Sequence, residues 1–87
     1  MNDEMPADVR SSLGQLLAEA RKAASTGETE TARSLLESAQ TVATNKLPDG
    51  HRRDRLRHGC LSAHDALPDG PLAAAYIAAM ERRLPES

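Results

Sequence analysis

The densest group of ionisable side chains in the sequence is His51-Arg52-Arg53-Asp54-Arg55-Leu56-Arg57-His58, with four arginines inside six positions. Guanidinium groups at that density suit phosphate or carboxylate recognition, because each presents a planar fork of donors that never loses its charge. Their spacing decides how many can act together. On a helix each residue turns by about 100°, so with Leu56 at zero Arg52 falls at about −40°, Arg53 at about 60°, Arg57 at about 100° and Arg55 at about 260°. The charges therefore encircle the helix and do not form one stripe. No aromatic residue stands in the segment to stack on bases, and no helix-turn-helix spacing is evident. Arg52 and Arg53 flank the apolar side and are expected to lay their stems on it while pairing with acids of the preceding helices. Arg52, Arg53, Arg55, Arg57 and His58 are the candidate contact residues for a protein partner, with nucleic acid as the alternative.

Cys60 and His64 stand four apart, close enough on one helix to share a metal, and His51 and His58, seven apart, also share a face. The two pairs point in nearly opposite directions, at about 40° to 80° against about 200° to 220°. One helix cannot close a four-ligand site from them, and the sequence holds no other Cys or His. Cys60 reads instead as a small buried hydrophobe and His64 as a residue at the core's edge. Cys60, His64 and Asp65 contain the residue types of a nucleophilic triad. Helical neighbours diverge by about 100°, however, so Asp65 cannot easily orient His64, and no glycine-rich loop offers an oxyanion hole. Nor is there a phosphate-binding glycine motif. No catalytic residue, metal or cofactor is expected.

The elements that would position these residues are helices. Val9, Leu13, Leu16, Leu17, Ala20 and Ala24 recur at steps that fill one side of a helix, and Ala32, Leu35, Leu36, Ala39, Val42 and Ala43 do the same. Between the two runs lies Ser25-Thr26-Gly27. Gly27 can take the left-handed conformation that ends a helix, and Thr26 or Thr29 could cap the next. So short a connection makes the two helices antiparallel neighbours. Leu16, Ala20, Gly27, Ala32, Leu36 and Ala39 also fall on the motif positions of a tetratricopeptide repeat, which this stretch from about Leu13 to Leu47 resembles. The resemblance implies a helical hairpin; Ala23 replaces its expected aromatic residue, and no second copy is present.

Leu47-Pro48-Asp49-Gly50 recurs as Leu67-Pro68-Asp69-Gly70. In each, leucine closes a helix, proline forbids its continuation and aspartate is placed to cap the next helix. Between the two copies, Leu56, Cys60, Ala63 and Leu67 form one stripe; after the second, Ala73, Ile77, Met80 and Leu84 form another. The fourth helix is so rich in alanine that it is expected to be the most deeply buried or to sit at a subunit contact. The result is a single all-α domain of four helices, at about 6–24, 28–46, 51–66 and 71–84, with residues 1–5 and 85–87 frayed. Gly14 interrupts the first helix, where close contact with another helix is its expected reason.

Composition limits the core. The chain has eleven Leu, two Val, one Ile and three Met against fifteen Ala, no Phe or Trp, and one Tyr. So thin a core in 87 residues suggests a homo-oligomer, most simply a homodimer. The net charge of −2 does not steer the chain toward nucleic acid or a membrane. One cysteine excludes an internal disulfide framework, the polar start MNDEMPADVR lacks a signal-peptide apolar region, and no run is long enough to cross a membrane, so a cytoplasmic location is expected.

The stretches ATNKLPDGHRRDRLRHGC and AAAYIAAMERRLP resemble small helical proteins of haloarchaea, over roughly Ala43 to Pro85. That resemblance implies no assigned activity. Together these features describe a non-catalytic helical protein–protein interaction or structural module.

Overall fold

A computed structural model describes residues 5–84. Four α-helices succeed one another: α1 (Ala7–Ser25), α2 (Thr29–Lys46), α3 (His51–Ala66) and α4 (Gly70–Arg83), with no strand among the described residues. Each helix packs on two others, α1 on α2, α2 on α3, α3 on α4 and α4 back on α1, which closes a four-helix bundle with axes of 39 × 20 × 18 Å. The three connections are too short for anything but antiparallel neighbours.

The turn after α1 shows how local chemistry sets this path. Gly27 adopts φ 81°, its N–H donates to the Ala24 carbonyl at 3.3 Å, and the Glu28 N–H reaches back to Ala23 at 2.8 Å. This is a Schellman ending, which satisfies carbonyls the helix leaves open. Thr26 does not cap α2. Its hydroxyl instead closes on the Lys22 and Ala23 carbonyls at 3.1 and 3.2 Å, and α2 begins after Glu28 without a side-chain cap.

The two Leu-Pro-Asp-Gly segments diverge. Before α4, Asp69 is the N-cap and accepts from the Leu72 N–H at 3.2 Å. Before α3 the N-cap is Gly50, and Asp49 pairs with Arg53 one turn on. An arginine four residues after the first aspartate recruits its carboxylate; the second copy has alanine at the matching place.

Val9, Leu13, Leu17, Ala20, Ala23 and Ala24 make α1 the most deeply buried helix. It, and not α4, holds the centre, because α4 leaves Leu72 and Tyr76 facing solvent at 46% and 42% exposure. Met5, expected to fray, is 9% exposed and joins the core, because it stands four residues before Val9 and extends that stripe. The frayed ends expected at residues 1–4 and 85–87 lie outside the described residues.

Two glycines separate packing from propensity. A Cβ at Gly70 would collide with the Ala24 carbonyl oxygen, so the start of α4 can approach the end of α1 only without a side chain. At Gly14 the nearest atom to an added Cβ is Leu84 Cδ1 at 3.8 Å, an ordinary contact, so close packing does not explain this glycine. Gly14→Ala should therefore raise stability by about 0.5–1 kcal/mol in chemical denaturation. Gly70→Ala should lower it by about 1–3 kcal/mol, through the forced shift of α4.

Candidate functional site

The arginines of α3 divide between two sides of the helix. Arg53, Arg57, Cys60 and His64 succeed one another at steps of four, three and four, on the side toward α2, where His64 Nε2 lies 3.3 Å from Glu37 Oε2. The Nε atoms of Arg53 and Arg57 are both buried and lack a hydrogen-bond partner among the described residues. Their stems fill the edge of this seam, as long cationic side chains do when an apolar body is covered and a charged tip reaches water. Among the described residues, Arg52 and Arg53 make no pair with acids of the first two helices. Arg53 pairs with Asp49 of the preceding turn, and Arg52 lies on the other side of α3.

That other side forms a groove of about 940 Å³ against α4. Its floor is Leu56, Gly59, Ala79 and Met80, with Tyr76 along one wall. Arg52 and Arg55 from α3 and Arg83 from α4 border it, with His51 and His58 beside them and Asp54 as the one acid among the lining residues. Gly59 shapes the floor, because a Cβ there would meet Met80 Sδ at 2.5 Å. Its bare backbone lets Met80 lie across α3 beneath the groove.

Three of the five candidate contact residues, Arg52, Arg55 and His58, are thus brought to one groove; Arg53 and Arg57 are not. Tyr76 and Arg83 join them unforeseen. The chain's single aromatic residue stands across from an arginine segment that has none of its own. The signal was present in α4: Leu72, Tyr76, Ala79 and Arg83 recur at steps of four, three and four on a side distinct from its core stripe.

Cys60 is 2% exposed, and desolvation in the core pushes its thiol from 9.0 up to about 11. A thiol held protonated at neutral pH is a poor nucleophile and a poor metal ligand. His64 is turned to Glu37, and Asp65 is exposed. Among the described residues no three His, Cys, Asp or Glu side chains converge on a metal-sized site. None of the helices described is long and apolar enough to cross a membrane.

Fold and groove together define an all-α bundle domain with one cationic, partly apolar surface. The chain belongs to the family described as a domain of unknown function, DUF8101, whose model matches residues 1–86. No curated protein and no solved structure matches it.

The thiol gives a direct check. Because the folded-state pKa lies above the unfolded one, Cys60 favours folding fully below pH 9 and loses that contribution as pH rises from 9.0 toward about 11. Cys60→Ala should lower stability at pH 7 yet show a shallower decline over that range, and native Cys60 should react with a disulfide reagent only at the rate of opening.

Proposed function

We propose that the protein is a non-catalytic, cytoplasmic interaction module that binds a protein partner across the α3–α4 face. The observation that carries this reading is the convergence of Arg52, Arg55, His58 and Arg83 with the exposed ring of Tyr76 around one apolar floor. Aromatic and arginine side chains are the types that most often anchor protein interfaces. The tetratricopeptide-like pattern of α1 and α2 also favours an interaction role. Their apolar sides are covered by the other helices, and the exposed large hydrophobic residues, Leu61, Leu72 and Tyr76, lie on α3 and α4. Burial of Cys60 and the turn of His64 toward Glu37 favour a role without catalysis.

Tyr76 also favours the second reading, single-stranded nucleic acid, since an aromatic wall beside arginines can stack a base while the cations meet phosphate. A protein partner is preferred because the groove offers one ring and a floor of aliphatic atoms, where a strand would want successive stacking platforms.

Benzoylphenylalanine placed at Tyr76 and photolysed in native extract should give adducts that protease removes and nuclease does not. The same probe at Ser11, exposed on α1, should give few. Nuclease-sensitive adducts would replace protein by nucleic acid, and equal labelling from both positions would contradict the choice of face.

A further inference from the structure

We infer that the occupant of the α3–α4 groove is an amphipathic α-helix of another protein, apolar along one side and acidic along both flanks of it. This rests on the reading of that face as the interaction surface and names the chemistry of what it binds. The groove runs from His51 to Ser62 along α3, which at 1.5 Å per residue is about 17 Å, the length of about three helical turns. A third helix laid between two antiparallel ones presents apolar side chains at steps of three and four to a floor of this kind. The small Ala79 leaves room for those side chains, and Met80, lying across the bare backbone of Gly59 with its flexible thioether, adapts to their shape.

Charge selects the flanks. Arg55 stands on one wall and Arg83 on the other, both exposed, and neither makes an ion pair among the described residues. Carboxylates on either side of an incoming apolar stripe would each meet a guanidinium, whose fork donates paired hydrogen bonds to them. A second copy joined symmetrically through the same groove is disfavoured, because it would set these cations against their own equivalents. A basic helix meets the same repulsion.

The test presents the full chain with a displayed library of about 14-residue helices, long enough for the groove. Leucine is fixed along one side, and Glu, Lys, Gln and Ser are allowed equally elsewhere. Glutamate should be enriched beside the leucines. A selected peptide should lose about tenfold or more in affinity, by fluorescence anisotropy, against the Arg55→Glu, Arg83→Glu double variant. Both positions are exposed, so thermal melting should confirm an unaltered fold. Enrichment of Lys or Gln in peptides that still require Tyr76, shown by Tyr76→Ala, would overturn the acidic partner and leave the interaction face standing. No enrichment, or binding indifferent to both variants, would overturn the face as well. An oligonucleotide that displaces the selected peptide and binds more tightly would assign the groove to nucleic acid and overturn the proposal.

Discussion

Of the eight core hydrophobic residues at 0% exposure, six are alanines: Ala20, Ala32, Ala39, Ala43, Ala63 and Ala73. A methyl group fills little volume, and interiors are packed to near-crystalline density, so helices meeting through alanine must come close together, at about 8 Å between axes. Leu13, Leu17, Leu36, Ile77 and Cys60 supply the largest fully buried side chains. The bundle therefore excludes water chiefly through proximity. Its radius of gyration of 12.0 Å is that of a well-packed chain of this length, about 12 Å. The bare backbone of Gly70 against Ala24 arises from the same constraint.

Close approach inside has a consequence outside. Gly59 and Ala79 line the seam between α3 and α4 with almost no side-chain volume, Leu56 and Met80 are sunk into its floor, and the other large residues stand at its margins. A groove results, bordered by arginine and histidine because α3 places His51, Arg55 and His58 away from its core stripe and Arg52 at the edge of that stripe. The surface assigned to a partner is thus the outer face of the economy in side-chain volume that shapes the interior.

Much of the fold could be read from spacing. Leu13, Leu17, Leu36 and Ile77 lie on the stripes that periodicity marks out, and Gly27, Pro48 and Pro68 stand where the chain turns. Elsewhere identical letters hid different outcomes. Asp49 and Asp69 occupy the same place in the same tetrapeptide, yet only Asp69 caps a helix, because Arg53 draws Asp49 away. Angular position along α3 separated Arg55 from Arg53 and Arg57, but the partner helix of each side depends on how α3 packs, which no local pattern carries. The meeting of Tyr76 with Arg52, Arg55 and His58 needs the register of two antiparallel helices, and one stripe on each does not fix it. Alanine content marks α4 for the deepest burial or for a subunit contact, but the denser series of Leu13, Leu17, Ala20 and Ala24 buries α1 more deeply within the chain.

If alanine contacts set the spacing of the helices, the denaturation midpoint of Ala39→Leu tests it most directly. Ala39 is fully buried on α2, and a leucine there adds apolar volume where none is free. A loss of about 1–3 kcal/mol and a lower midpoint are expected, since the added side chain must push helices apart. An unchanged or higher midpoint would show that the seam has room, and that proximity through alanine is not what holds the bundle.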